Sequence, residues 1–163
     1  MALTSRRAID AKNFKRNIKR YLDITDHGPI RWFLGFQIKQ DWKNRTISIN
    51  QHAYIKSLAE KFQLVNAKLI KAPIKPGTQY SFNQCPSTPN QVAKMKGIHY
   101  NKAIRSILWL VVVSRPDIAY TTGILSQFLQ NLGYMHWEGV KRVISYLNTT
   151  KTTGLPLEGP QRT

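Results

Sequence analysis

Carboxylates are scarce in this chain: 8 Asp and Glu stand among 163 residues, against 25 Lys and Arg. They are Asp10, Asp23, Asp26, Asp41, Glu60, Asp117, Glu138 and Glu158, and no two are adjacent. Phosphoryl-transfer metal sites need convergent carboxylates to hold Mg²⁺. Asp23 and Asp26, the closest pair, fall at a predicted helix end, where capping and solvation account for them better than a metal does. Cysteine is nearly absent too. Cys85 alone cannot build an internal disulfide framework, so a reducing compartment, cytoplasmic or nuclear, is the expectation. Cys85 and His99 lack a second close ligand pair, which argues against zinc, and His27, His52 and His136 are scattered. The glycines never occur at phosphate-loop or dinucleotide-binding spacing, and no nucleophile elbow surrounds Ser114. Apolar runs are short. The eight residues of "SILWLVVV" fall far below the ~20 that a membrane-spanning helix needs, and "MALTSRRAID" has no apolar stretch of a secretory signal.

What the chain does have is positive charge, a formal +17. Net charge speaks to association rather than fold, and polyanions are its natural partners. With 42% hydrophobic residues, the chain is not compositionally disordered and can bury a core.

Residues 9–22, "IDAKNFKRNIKRYL", place Ile9, Phe14, Ile18 and Leu22 near one helical face. Lys12, Lys15, Arg16, Lys19 and Arg20 form a basic flank, read equally well as a solvated face or as a phosphate-facing one. Gly28 and Pro29 break this helix. "WFLGFQIKQ" alternates as a strand with Leu34, Phe36 and Ile38 on one side, "RTISINQ" alternates through Ile47 and Ile49, and "DWKN" between them predicts a β-hairpin. "HAYIKSLAEKFQL" predicts an amphipathic helix with Tyr54, Ile55, Leu58 and Phe62 inward. Residues 66–98, punctuated by Pro73, Pro76, Gly77, Pro86, Pro89 and Gly97, read as an extended linker.

"YNKAIRSILWLVVV" is apolar nearly all round and is expected to be the central buried helix. In the following "SRPDIAYTTGILSQFLQN", Ser114 is a good N-cap, Pro116 suits a first turn and Asp117 favours the positive helix end. Ile118, Leu125 and Leu129 then point inward. A last helix, "HWEGVKRVISYLN", is expected to bury Trp137, Val140, Ile144 and Leu147, with His136 and Trp137 anchoring its start. The tail 151–163 has weak structure signals. Lys and Arg interleave with Tyr21, Trp32, Trp42 and Tyr54, a pattern able to track a phosphate backbone and stack on bases, although core aromatics look the same.

Four segments in this order, "FKRNIKRYLDITDHGPIRWFLGFQI", "ISINQHAYIKSLAEKFQL", "YNKAIRSILWLVVVSRPDIAYTTGILSQF" and "HWEGVKRVISYLNTTK", resemble the C-terminal part of the reverse transcriptase in the Pol polyprotein of copia-type LTR retrotransposons. The resemblance covers roughly residues 1–152 and implies an α+β fold: residual palm strands and a β-hairpin, with a mainly helical thumb and connection. It divides the chain into a palm remnant with hairpin and first thumb helix (1–65), a linker (66–98), a helical thumb and connection region (99–150) and a tail (151–163). "MALTS" looks like the strand directly after the family's Tyr-Val-Asp-Asp motif, which would put Met1 just downstream of the catalytic carboxylates. Fingers, most of the palm and RNase H are then expected to be absent. No catalytic residue carries over, and the Mg²⁺ of the intact family has no ligands here. Three positions depart from the family: Arg105 and Thr149 stand where Gly is usual, and Leu132 where Pro is.

The resulting expectation is a non-catalytic reverse-transcriptase piece that holds an RNA or DNA duplex or hybrid without sequence preference, with the rest of a Pol polyprotein as a further candidate partner and without a membrane. Lys12, Lys15, Arg16, Lys19, Lys39, Lys43 and Arg45 are the expected phosphate contacts, with Ser114, Pro116, Asp117 and Trp137 structural. Two alternatives stay open: a freestanding basic RNA- or DNA-binding module, and an interaction module for an acidic partner or an element-encoded polymerase.

Overall fold

A computed structural model describes residues 3–5 and 7–158, the last by its backbone alone. Helix α1 (Ala8–Ile18) leads to strands β1 (Trp32–Phe33), β2 (Phe36–Asp41) and β3 (Thr46–Asn50). Helix α2 (His52–Lys61) follows, then a crossing segment that contains α3 (Pro89–Met95). Helices α4 (Tyr100–Val113), α5 (Ala119–Ser126) and α6 (Tyr134–Thr149) come next, and strand β4 (Leu155–Glu158) ends the described chain. The fold is α+β, with one antiparallel sheet in the order β1-β2-β3-β4.

The core forms where four helices bring apolar stripes together. α2 contributes Ile55, Leu58 and Ala59, α4 contributes Ala103, Ile104, Ile107 and Leu110, and α6 contributes Val140, Val143, Ile144 and Leu147; Ile118 and Leu125 close it. Each Val, Leu or Ile side chain among them stabilises the fold by about 1.5–3 kcal/mol when fully buried. Tyr54, Phe62 and Trp137, expected inside, are only partly buried and pack on its margin, and Phe62 meets Trp137 edge-on at 5.8 Å.

α4 is not buried all round. Leu108, Trp109 and Val112 are exposed, Val112 by 79%, and Arg105 lies on this open side. Its guanidinium therefore incurs no burial cost. Trp109 is partly covered by Phe36 of β2, whose ring centroid lies 5.9 Å away.

The expected hairpin is present as β2 and β3, paired from Gln37↔Asn50 to Asp41↔Thr46. Asp41 orders its turn by accepting hydrogen bonds from the Asn44 backbone (3.0 Å) and side chain (2.8 Å). These bonds hold its carboxyl below the usual carboxylate range. "WFLGFQ" is not one strand. Leu34 (φ 49°) and Gly35 (φ 85°) both take positive φ, making a two-residue turn that pairs Phe33 with Phe36. Leu34 thus sits exposed at a turn tip, away from the side shared by Phe36 and Ile38.

The tail departs most from expectation. Leu155–Glu158 pairs with β3 from Ile49↔Leu155 to Thr46↔Glu158. Pro156 weakens the strand signal in "LPLE", but Pro is tolerated on an edge strand. Asn50 ties this end in by donating to the carbonyls of Lys151 (3.4 Å) and Thr152 (3.2 Å). At the other end of the chain, the strand expected for "MALTS" is not found over Leu3–Ser5, which are irregular and exposed; Met1 and Ala2 lie outside the described residues.

The crossing segment is strapped across α6. Asn148 donates to the Leu64 (3.5 Å) and Val65 (3.0 Å) carbonyls, and the Thr149 hydroxyl accepts from the Ile70 amide (3.2 Å). Two glycines let the strap press close. A Cβ on Gly133 would overlap the Gln84 carbonyl oxygen, and one on Gly139 would stand 2.6 Å from the Tyr80 hydroxyl. No helix among the described residues is long and apolar enough to cross a membrane.

Candidate nucleic-acid interface

The seven predicted phosphate contacts fall on two elements. Lys12, Lys15 and Arg16 are on α1, with Lys19 at its C-cap; Lys39 is on β2, and Lys43 and Arg45 are in the β2–β3 turn. All but Lys15 are exposed. The Lys15 amine donates to Asp26 at 2.8 Å, and that bond holds the Asp26 carboxyl below its ordinary range. A phosphate at Lys15 would have to displace this carboxylate.

α1 is shorter than the reading of 9–22. It stops at Ile18, well before Gly28, leaving Leu22 beyond its end. None of its residues is buried, and Ile9 is 60% exposed. Its start has no side-chain cap, only an exposed Arg7–Asp10 ion pair at 3.1 Å. Of the interleaved aromatics, Tyr21, Trp32 and Trp42 are exposed, while Tyr54 packs on the core.

Ser114 does not cap a following helix. It is the C-cap residue of α4, and its buried hydroxyl donates to Gln51 Oε1 at 2.7 Å, fixing the start of α2 against the end of α4. Pro116 opens a short 3-10 turn, Pro116–Ile118, before α5, and Arg115 occupies its N-cap position. Leu129 lies past the end of α5 and is exposed.

Asp117 serves as an ion-pair partner, a role hidden from local capping rules. Arg115, 1% exposed, donates from Nε to Asp117 Oδ1 (2.9 Å) and from Nη2 to Oδ2 (2.7 Å). It also donates to the Thr150 carbonyl (3.2 Å) and hydroxyl (2.7 Å). Tyr146 covers the guanidinium with its ring at 5.4 Å and donates its hydroxyl to Asp117 Oδ2 at 2.8 Å. Burial alone would raise the Asp117 pKa, but its bonds to Arg115 and Tyr146 outweigh this and hold it low. Burial, and then the bond to Asp117, pushes Tyr146 up. This network fastens the start of the 3-10 turn to the end of α6. The sequence signal for it was the Arg two residues before an Asp in "SRPD".

His136 is a packing residue. It is fully buried, stacked on Phe128 at 3.7 Å; Nδ1 accepts from the Gly133 amide (2.9 Å), which leaves Nε2 to donate to the Ser81 carbonyl (3.2 Å). Burial lowers its pKa, opposed by the Ser81 bond. Trp137 lies against Tyr100 and Phe62.

The described carboxylates do not converge. Asp10 binds Arg7, Asp26 binds Lys15, Glu60 faces Lys56, Asp117 binds Arg115, and Glu138 binds Lys141. No group of three or more His, Cys, Asp or Glu among the described residues is placed to hold a metal ion. These side chains do not fit a Mg²⁺ pair.

Residues 1–76 match the reverse transcriptase (RNA-dependent DNA polymerase) family. Over 136 residues, 83% of this chain, the sequence is 34% identical to the retrovirus-related Pol polyprotein from transposon TNT 1-94 of Nicotiana tabacum, of which it covers 10%. It is 25% identical over 142 residues, 87% of this chain, to the Pol polyprotein from transposon RE1 of Arabidopsis thaliana, of which it covers 9%. A shorter match, 46% over 61 residues, links 37% of this chain to 43% of the secreted RxLR effector protein 161 of Plasmopara viticola. The chain thus spans about a tenth of the two Pol polyproteins and under half of the effector. No solved structure matches.

Proposed function

Since this chain is copia-type reverse-transcriptase sequence of a transposon Pol polyprotein, we propose that it holds template–primer nucleic acid through its phosphate backbone and performs no polymerisation of its own. The observation that carries this reading is unneutralised charge. The chain has 25 Lys and Arg for 8 Asp and Glu, and six of the seven candidate contacts are exposed. Backbone recognition of this kind releases counterions, so affinity should fall steeply with salt. Exposed Tyr21, Trp32 and Trp42 add surfaces on which bases or sugars can rest.

The test is a salt titration of binding to an RNA–DNA hybrid. Lys12→Gln, Arg16→Gln and Lys19→Gln together should reduce the slope of log K against log salt by about three, one per lost contact. Lys15 is left out because Asp26 already holds it. Binding that ignores salt, or that is missing at low salt, would sink the reading. Tighter binding to an acidic protein than to nucleic acid would favour an interaction module instead. For the absence of catalysis, no primer extension is expected with Mg²⁺ or Mn²⁺; nucleotide incorporation lost on mutating one of the chain's own carboxylates would reverse that conclusion.

A further inference from the structure

A groove of about 770 Å³ opens between the strap and the start of α6, within the ~300–1,000 Å³ usual for small-molecule sites. Its walls are built. Gln84 closes one turn by accepting from the Ser81 amide (3.3 Å) and donating to the Gln79 carbonyl (3.0 Å). Gln91 closes the next by accepting from the Ser87 amide (2.9 Å). Phe82 packs on Phe128 at 5.0 Å, and Gly133 lets the strap lie directly on α6.

The lining has two characters. Met95, Ile98 and Trp137 give an apolar floor, and Tyr134 stands at the mouth with 61% of its surface exposed. Lys94 and Lys141 supply cations, and among the described residues no Asp or Glu lines the groove. Lys141 is bound to Glu138, which leaves Lys94 as the cation best placed for an anion. A ligand suited to this site carries a flat apolar face beside a negative group.

We propose that this groove takes one nucleotide of a single strand, its base against Tyr134 and its phosphate at Lys94. This rests on the nucleic-acid reading above, but concerns a different surface and a different form of nucleic acid. Stacking on an aromatic ring tolerates any base, so the site should bind single strands without sequence preference.

Cys85 makes the proposal directly testable, because the chain's one cysteine lines this groove. Short oligothymidylate should slow alkylation of Cys85, while a blunt duplex should not. Tyr134→Ala should weaken oligothymidylate binding about tenfold, the scale of a lost base stack, and Tyr134→Phe should restore it. Lys94→Gln should weaken it further and remove about one unit of salt slope. None of the three should alter duplex binding, and the α1 triple variant should do the reverse. If duplex binds but oligothymidylate neither protects Cys85 nor responds to Tyr134→Ala, the groove proposal fails while the reading on which it rests stands. If neither nucleic acid binds at low salt, both fall. Better protection of Cys85 by polyglutamate than by oligothymidylate would also overturn the assignment.

Discussion

Helices α1 and α6 are composed alike and placed oppositely. Each spaces apolar residues at helical intervals and sets cations between them. α6 buries Val140, Val143, Ile144 and Leu147 and receives α2, α4, α5 and the strap around it. α1 buries nothing. Periodicity specifies a face, but the cover comes from elsewhere in the chain. The consequence is energetic. An isolated helix shorter than ~12–15 residues is marginal in water, and α1 has 11. Its stability rests on local terms, whereas that of α6 rests on packing.

The largest test of this contrast is Arg115→Ala. Breaking a buried pair costs about 3–5 kcal/mol, and the low end applies because Asp117 reaches solvent. Denaturant unfolding should show a loss of about 3 kcal/mol in the helical body, with hydrogen exchange in α1 unchanged. A loss below ~1 kcal/mol would mean that the network holds little in place.

Gly133→Ala should come next. The added methyl meets the Gln84 carbonyl, and overpacking typically costs about 1–3 kcal/mol. Exchange should quicken across residues 79–98 first. Unchanged rates there would show that the strap does not depend on this contact.

A smaller effect should appear with pH. The folded-state pKa of His136 lies below its ordinary 6.5, so the unfolded chain takes up a proton at a pH where the buried ring stays neutral. Stability from this group is present above pH 6.5 and is lost as pH falls below it. Melts of the body from pH 7.5 to 5.5 should show this, and His136→Gln should flatten the response. α1 contains no His, so its exchange, corrected for intrinsic rate, should not follow that titration.

The smallest effect is Phe14→Ser on α1, expected within ±0.5 kcal/mol as at an open surface. A loss above 1 kcal/mol would show that this face is covered in solution and would erase the contrast.

Much of the body was legible in the sequence because its signals are local. The inward residues of α2 and α6 follow a period of 3.6, and β2 and β3 alternate around a turn that Asp41 and Asn44 can close. What escaped depended on partners far along the chain. Ser114 satisfies every nearby rule for an N-cap, yet its hydroxyl answers to Gln51, 63 residues away. Arg115 looks like an ordinary surface cation until Thr150 and Tyr146 enclose it. The open side of α4 was hidden because apolar residues all round suggest cover on every side. For the interface, charge clustering picked out seven cations but not their division between two elements, nor the loan of Lys15 to Asp26. The groove could not be read at all, because it exists only where residues 83–98 meet 133–141.

Strand β4 bears on how the protein is made. The hairpin and α2 leave the ribosome before β4; the carbonyls that Asn50 engages belong to residues some 101 positions later, and the outer edge of β3 is paired only once Leu155–Glu158 has emerged. Until then β3 presents open backbone groups, a template for pairing with another nascent chain. Closing so long a loop is slow compared with forming the helices, so the sheet should complete after the helical body has collapsed. Synthesis stopped short of Leu155 would leave the helices able to pack but β3 permanently unguarded, and such products should aggregate through that edge.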